Sequence, residues 1–149
     1  MRYLYKLIVI YFFIFLNASP NWDEVQKESI ELFQEYLRID TSNPPGDVTK
    51  GIIWLSNILN QNDIFFQTFT VTEDPRRMHL LAEFPGTDTS LKPLILLNHV
   101  DVVPADNRSW SVDPFKGEII DGIIYGRGAL DMKSLGIMQL MSLILLKRE

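Results

Sequence analysis

The sequence contains no cysteine, and only two histidines, His79 and His99, occur among its 149 residues. The absence of cysteine excludes disulfides, thiolate nucleophiles and Cys-ligated zinc, and two histidines cannot form a metal site built mostly from imidazoles. Basic side chains are also scarce: 14 Lys and Arg stand against 19 Asp and Glu, so the formal net charge is −5. Because no block of basic residues is present either, the sequence does not indicate a nucleic-acid partner.

The composition fits a globular protein, with 46% apolar and 22% charged residues and enough chain for one domain. The N-terminus is a separate element. Arg2 and Lys6 are followed by ten apolar residues, 7–16. This run is shorter than the roughly 20 residues that span a bilayer, but it fits the hydrophobic part of a secretory signal. We predict that residues 1–19 are a signal peptide of a secreted protein. An uncleaved membrane anchor is the alternative.

The remaining chain alternates between predicted helices and strands. Asn21 precedes an acidic first turn, which predicts a helix from residue 22 to about Leu37, and the run Asn43-Pro-Pro-Gly follows it. Periodicity and composition predict further helices over 48–60 and 135–146, strands over 64–72, 78–84 and 94–97, and a hairpin over 118–125. We therefore predict an α/β fold, an α/β/α sandwich with a mixed central sheet. The strand over 94–97 should be buried on both faces.

His99 and Asp101 follow the apolar run 94–97 directly. Functional groups gather at the carboxyl ends of strands in open α/β sheets, and side chains two residues apart in an extended segment point to the same side. The pair therefore suits a metal-ligating histidine whose second ring nitrogen bonds a carboxylate. A purely structural His–Asp hydrogen bond is the alternative, and the two residues alone favour it.

Asp131 lies in the segment Tyr125-Gly-Arg-Gly-Ala-Leu-Asp-Met-Lys, just before the predicted apolar helix. The two glycines allow a tight loop around Arg127, which we interpret as a structural loop residue. The carboxylate of Asp131 could bridge two cations or cap the helix N-terminus. Taken alone, the cap is the favoured interpretation.

Together, these stretches resemble a known family, the zinc-dependent aminoacylase and carboxypeptidase metallohydrolases, which include acetylornithine deacetylase and succinyl-diaminopimelate desuccinylase. The segments His-Val-Asp-Val-Val-Pro and Gly-Arg-Gly-Ala-Leu-Asp-Met-Lys are similar to the two signature segments of that family in order and spacing. The likeness extends back to Leu37-Arg-Ile-Asp-Thr-Ser-Asn-Pro-Pro-Gly. Residues 20–149 would then be the N-terminal part of a di-zinc exopeptidase-like catalytic domain.

The resemblance implies a role for each matched residue. His99 matches a metal ligand, Asp101 the catalytic acid that orients this histidine, and Asp131 the carboxylate that bridges two zinc ions. The peptide bond between Asp131 and Met132 would be cis. The implied reaction is hydrolysis of an amide or peptide bond in an acyl-amino acid or small peptide. Two zinc ions would activate water, with cobalt or manganese as possible substitutes, and a glutamate would act as general base.

The sequence departs from the family pattern after Asp131. The remaining metal ligands and the general base of the family lie beyond this residue, and here Glu149 is the single acid and no histidine follows. We therefore expect an incomplete part of a longer enzyme, without its lid or dimerisation domain, through which a homodimer could form. The 149 residues alone should be inactive. The alternative is a catalytically inactive short product that binds a partner through the apolar face of its last helix (Ile137, Leu140, Met141, Ile144 and Leu145).

Overall fold

The structure, a computed structural model, describes residues 19–71 and 73–149. The predicted signal peptide or anchor over 1–19 lies outside the described residues except for its last position. Among the described helical segments, Ala129–Arg148 is long and apolar enough to cross a membrane by composition, a property that core helices share.

Most of the regular secondary structure in the described chain lies in three helices. Helix α1 covers Trp22–Leu37, α2 covers Thr49–Gln61 and α3 covers Ser134–Arg148. All three were predicted, with ends within two residues of the observed ones. The start of α1 follows the sequence signal, since Asn21 occupies the N-cap position and Asp23 and Glu24 lie in the first turn.

Two antiparallel hairpins supply the strands. Strand β1, Phe65–Thr70, pairs with β2, Met78–Glu83, and strand β3, Glu118–Ile120, pairs with β4, Ile123–Tyr125. The second hairpin turns at Asp121 and Gly122, whose φ angles of 51° and 78° are both positive. Positive φ at both turn residues is the requirement of the tight hairpin that an Asp-Gly pair predicts, so this prediction is confirmed.

The hydrophobic core lies between the helices and the first hairpin. Helix α3 packs across α1, and α2 packs against β1 and β2. Burial of apolar surface in this cluster is the main source of its stability. The buried members of the cluster are Tyr36, Ile58, Leu59, Ile64, Ile137, Leu140, Met141 and Ile144.

The apolar face of α3 is covered by the chain itself, which corrects the alternative in which this face binds a partner. Four of the five residues assigned to that face belong to the buried core, and Ile144 is completely inaccessible to solvent. The helix leaves other apolar side chains exposed, among them Leu135 and Met138. The face that was expected to bind a partner is therefore not available.

The predicted buried strand over 94–97 is a second correction. No strand is assigned there, and Leu94 and Leu97 are 85% and 81% exposed. The physical reason is the lack of a neighbouring strand within residues 19–71 and 73–149. The segment is held near its end, where the side chain of Gln139 bonds both the Leu97 carbonyl and the Asn98 amide. Helices and small sheets confirm the α/β class, whereas the α/β/α sandwich with a mixed central sheet stays a prediction.

Candidate metal-binding cleft

The segment that carries His99 and Asp101 is fixed by a loop from the end of α1. Ser42 and Val102 form a parallel β-bridge. Its hydrogen bonds run from Asn43 N to Val102 O at 2.8 Å and from Val102 N to Thr41 O at 3.1 Å. The buried Thr41 hydroxyl donates to the Val100 carbonyl at 2.7 Å. These three hydrogen bonds hold the backbone on both sides of Asp101, so the direction of its side chain is defined.

His99 contacts both acids that the sequence analysis had singled out. Its Nε2 lies 3.0 Å from Asp131 Oδ1, and its Nδ1 lies 3.3 Å from Asp101 Oδ1. The nearest partner of Nδ1 is the backbone carbonyl of Asp101 at 2.8 Å. The structure therefore brings the three residues together, with the Asp101 backbone closer to the imidazole than its carboxylate is.

Asp101 is oriented by a residue that the sequence analysis did not assign. Asn43 Nδ2 donates to Asp101 Oδ2 at 2.9 Å, while the other carboxylate oxygen faces His99. Asn43 precedes the two prolines Pro44 and Pro45, and both of the peptide bonds that join these three residues are cis. The signal available in the sequence was the Asn-Pro-Pro-Gly run itself, which we used for the end of the first helix and for the resemblance, without giving Asn43 a role.

Asp131 lies in an irregular turn and not at a helix cap. Its φ and ψ of −123° and 92° are extended, and the Asp131–Met132 bond is cis, as the resemblance implied. Helix α3 begins three residues later at Ser134, with Lys133 at its N-cap and no capping bond from a side chain. The helix-cap interpretation is therefore wrong. The Asp131 side chain is 87% exposed, so its carboxylate is open to the cleft.

Lys133 ties this turn to the end of α1. Its side chain is 1% exposed, and its Nζ donates to the carbonyls of Tyr36 at 2.9 Å and Ile39 at 2.7 Å. The ammonium also lies 4.7 Å from the centre of the Tyr36 ring. Carbonyls at a helix C-terminus lack partners and carry partial negative charge, which a cation satisfies. Lys133 thus holds Asp131, two residues before it, at a fixed place beside His99.

The bonding around His99 calls for a cation. The Asp101 carbonyl can only accept, so Nδ1 must carry a hydrogen. In the neutral imidazole Nε2 then presents a lone pair to the Asp131 carboxylate, and two acceptors face each other at 3.0 Å. A proton on Nε2 or a metal ion between the two atoms resolves this conflict. Burial lowers the pKa of His99, but the hydrogen bonds to Asp131 and Asp101 outweigh it, and the pKa lies above its ordinary value.

The pair His99 and Asp131 fits a zinc ion as part of a ligand set. Ligand atoms at about 2.0–2.2 Å from a tetrahedral zinc ion are roughly 3.3–3.6 Å apart, so the observed separation of 3.0 Å would have to widen slightly to admit the ion. The hydrogen bond from Nδ1 to the Asp101 carbonyl is the usual second contact of a ligating histidine. Within residues 19–71 and 73–149, no group of three or more His, Asp or Glu side chains is placed to hold a metal. Two donors are therefore the contribution of the described chain.

The cleft around this pair is half open and has a volume of about 450 Å³. Its lining also includes Trp110, Tyr125 and Arg127. The Trp110 ring lies in the cleft wall, with the Arg127 guanidinium 5.2 Å from the ring centre. Asp101 and Asp131 are the two acidic residues among the described residues that line the cleft.

Comparison with known proteins finds one family over the part of the chain that carries this cleft. The family model for peptidase family M20/M25/M40 matches residues 95–149, the part that contains His99, Asp101 and Asp131. This is the class of protein that the two signature segments indicated. The chain is similar to peptidase family M20/M25/M40 over this segment.

The chain is also similar to individual members of known function. It is 38% identical to aminoacylase-1 of Sus scrofa and 35% identical to aminoacylase-1 of Homo sapiens, over 127 residues in each case. These matches cover 85% of this chain and 31% of each relative. It is 42% identical over 86 residues to the N-fatty-acyl-amino acid synthase/hydrolase PM20D1 of Bos taurus, which is 56% of this chain and 17% of that protein. The chain thus spans about a third of the length of the aminoacylases that it matches.

Proposed function

We propose that the protein takes part in metal-dependent hydrolysis of the amide bond of an acyl-amino acid or a small peptide. The observation that carries this proposal is the facing pair of acceptors, His99 Nε2 and Asp131 Oδ1, 3.0 Å apart in an open cleft. A divalent ion satisfies both atoms and balances the two carboxylates of the cleft. The names of the similar proteins, aminoacylase-1 and an N-fatty-acyl-amino acid synthase/hydrolase, support the substrate class.

Each residue of the cleft has a distinct part in the proposed reaction. His99 and Asp131 hold the metal, and we propose zinc because an imidazole and a carboxylate are ligands that it accepts, as do cobalt and manganese. Asp101 acts on the position of His99, since its carbonyl fixes the proton on Nδ1 and leaves Nε2 free for the metal. When bound, zinc polarises the amide carbonyl and makes water a better nucleophile.

The proposed reaction needs a general base that the described part of the cleft does not supply. Asp101 is bonded to Asn43 and close to His99, and Asp131 faces His99, so neither acid is free to accept a proton from water. A di-zinc centre likewise needs more ligands than His99 and Asp131. We therefore propose that the 149 residues bind metal weakly without turnover, and that hydrolysis belongs to a longer form of the protein.

Metal binding is the direct test of this proposal. We would titrate the 149-residue chain with zinc against a chromophoric chelator, beside the variants His99→Asn and Asp131→Asn. His79→Asn is the matched control, because His79 lies in β2 and stacks on Phe69 away from the cleft. We expect zinc affinity to fall at least about tenfold in both cleft variants and to be unchanged in the control. Equal zinc affinity in all four proteins would refute the assignment of His99 and Asp131.

Activity is tested on the protein recovered from its natural source. Release of the amino acid from N-acetyl-L-methionine should be abolished by a chelator and restored by zinc, if the proposed hydrolase is correct. The intact mass of the same sample tests the proposed signal peptide, because removal of residues 1–19 leaves a protein that begins at Pro20. We propose export on the basis of the apolar run 7–16.

The alternative, an inactive product that acts as a binding partner, needs a surface other than the one first expected. The exposed apolar segment 94–97 is the observation in its favour, since 47–85% of these four side chains is accessible. Exposed apolar patches of this kind mark interaction surfaces. This alternative predicts that the native protein has a mass near that of the 149-residue chain and shows neither zinc binding nor hydrolysis.

A further inference from the structure

Both the main chain and the side chain of Asn43 are fixed at the edge of the cleft. Its backbone N–H donates to the Val102 carbonyl at 2.8 Å, and Pro44 follows it directly. A residue before proline is restricted to extended backbone. Its side chain lines the cleft and ends on Asp101, with Nδ2 2.9 Å from Oδ2. The amide of Asn43 therefore meets this acid in a defined place.

The direction of the Asn43 amide follows from the charges on either side of it. An amide can present its NH2 group as a donor or its oxygen as an acceptor. On one side lies the Asp101 carboxylate, which accepts hydrogen bonds. On the other side, a Cβ built on Gly46 would lie 3.0 Å from Asn43 Oδ1 and 3.0 Å from both Nη atoms of Arg77. The amide oxygen and the guanidinium thus share the small space beside Gly46, which leaves the NH2 group for Asp101.

The Asp101 carboxylate needs this restraint. Its side chain is 39% exposed, so water competes for both of its oxygens. Its contact with His99 Nδ1, at 3.3 Å, is longer than the 2.8 Å contact of the backbone carbonyl of the same residue. The bond from Asn43 to Oδ2 keeps Oδ1 facing the imidazole. Without that bond the carboxylate is free to rotate into water, and the imidazole loses a charged partner that makes it a stronger metal ligand.

We propose that Asn43 is a positioning residue of the metal site, and that its amide raises zinc affinity by holding the Asp101 carboxylate against Nδ1 of His99. This inference rests on the proposed function, in which Nε2 of His99 binds the metal. Asn43 acts through two other side chains. Its loss should therefore weaken metal binding while both proposed ligands remain in the chain.

Zinc titration of Asn43 variants tests this proposal. Asn43→Leu keeps the approximate volume of the side chain and removes its donor, and Asn43→Ala serves if the leucine does not fit. Asn62→Leu is the matched control, because it removes an amide whose Nδ2 donates to the Ile58 carbonyl at 2.9 Å, at the end of α2 and outside the cleft lining. We expect the zinc affinity of the 149-residue chain to fall about tenfold in both Asn43 variants and to be unchanged in the control. Wild-type affinity in the Asn43 variants would overturn the proposal.

A double-mutant cycle tests whether the effect passes through Asp101. Asp101→Ala should itself weaken zinc binding about tenfold or more. Adding Asn43→Leu to that variant should then change zinc affinity by less than about twofold. Losses that multiply to about a hundredfold would mean that the two residues act independently, which contradicts a positioning role.

The imidazole proton provides a readout that needs no metal. The chain has two histidines, so ring-15N labelling gives two sets of imidazole NMR signals, and His79→Asn assigns them. With a chelator present and at a pH above the pKa of His99, the Nδ1–H signal of His99 should move upfield in Asn43→Leu, because a hydrogen bond to a charged acceptor is stronger than one to a carbonyl alone. In Asn62→Leu it should stay in place. A residue that only stabilised the fold would lower the urea midpoint and leave this signal unchanged.

Failure of this inference differs from failure of the proposed function. If the wild-type chain binds zinc and the Asn43 variants bind it equally well, the metal site stands and the positioning role of Asn43 is wrong. If the wild-type chain binds no zinc, the proposed function is wrong, and the Nδ1–H signal alone decides whether Asn43 positions Asp101. An unchanged signal in both Asn43 variants would then refute it.

Discussion

Replacing Lys133 by methionine tests whether a buried ammonium holds the turn that carries Asp131 in place. Methionine keeps an unbranched apolar chain of similar length but removes the charge and the three N–H donors. The Lys133 ammonium bonds the carbonyls of Tyr36 and Ile39 and lies against the Tyr36 ring. In the variant, Tyr36 O keeps the backbone N–H of Ile39 at 3.2 Å, whereas Ile39 O loses its partner.

The expected loss of stability follows from opposing contributions. An acceptor left without its partner costs about 1–3 kcal/mol, the second charge-assisted bond contributes about 1.5–3 kcal/mol, and the ring contact about 0.5–2 kcal/mol. Against this, burial lowers the pKa of Lys133 from 10.5 to about 8, which corresponds to about 3 kcal/mol of cost for keeping the ammonium inside. The balance favours lysine by about 2 kcal/mol, so we expect Lys133→Met to lower the free energy of unfolding by that amount.

Urea denaturation followed by circular dichroism measures this difference. Lys147→Met is the matched control, because it makes the same change at an exposed position in the last turn of α3, where we expect less than about 0.5 kcal/mol. Zinc affinity should also fall in Lys133→Met, since the turn that carries Asp131 loses its attachment to α1. A Lys133→Met variant as stable as wild type, or more stable, would refute the reasoning, because desolvation of the ammonium would then outweigh its bonds.

Three further outcomes are expected. Gly128→Ala should lose about 2 kcal/mol or more of stability, because φ is +85° and the added Cβ meets Val102 at 2.6 Å; Gly86→Ala, which meets nothing within 4 Å, is the control in the same denaturation assay. Hydrogen bonds from the guanidinium of Arg148 lower the pKa of Glu28. This half-exposed pair should therefore add less than about 1 kcal/mol to the free energy of unfolding. The contribution is present above pH 4.5 and is lost as pH falls through the folded-state pKa, and Glu28→Gln should remove this part of the acid dependence of urea unfolding. Because zinc must displace a proton from His99, whose pKa is raised, zinc affinity should fall about tenfold per pH unit below that pKa, which titrations at several pH values measure.

The elements that were predicted correctly are those whose sequence signals are local. Helix α1 follows from the cap at Asn21, and the second hairpin follows from the turn residues Asp121 and Gly122. These signals depend on backbone preferences within a few residues and need no knowledge of distant partners. The buried strand predicted over 94–97 is wrong because apolar composition indicates only a tendency to be buried. Burial of a strand also requires neighbours, and the described chain provides none.

The sequence predicted which residues form the candidate site, but not the contacts that hold them in place. The spacing of His99 and Asp101 and the resemblance of the two signature segments identified the residues that converge. Asn43 and Lys133 contact residues that are 58 and at least 94 positions away in the sequence. No local sequence pattern predicts a contact between residues so far apart. Lys133, two residues after Asp131, was treated as part of a motif, although its side chain is buried.

The proposed metal ligands, His99 and Asp131, are both held in place by contacts with the residues that follow α1. His99 is held by the loop at 41–43 through the bridge at Val102, and Asp131 is held by Lys133, whose ammonium bonds the end of α1. Both attachments start from the same few residues after α1, so the end of this helix determines the distance between the two ligands. Unfolding of α1 would separate the ligands, and a metal that binds them must stabilise α1 in return. Occupancy of the cleft and integrity of the core are therefore linked, even though the Asp131 side chain itself is largely exposed.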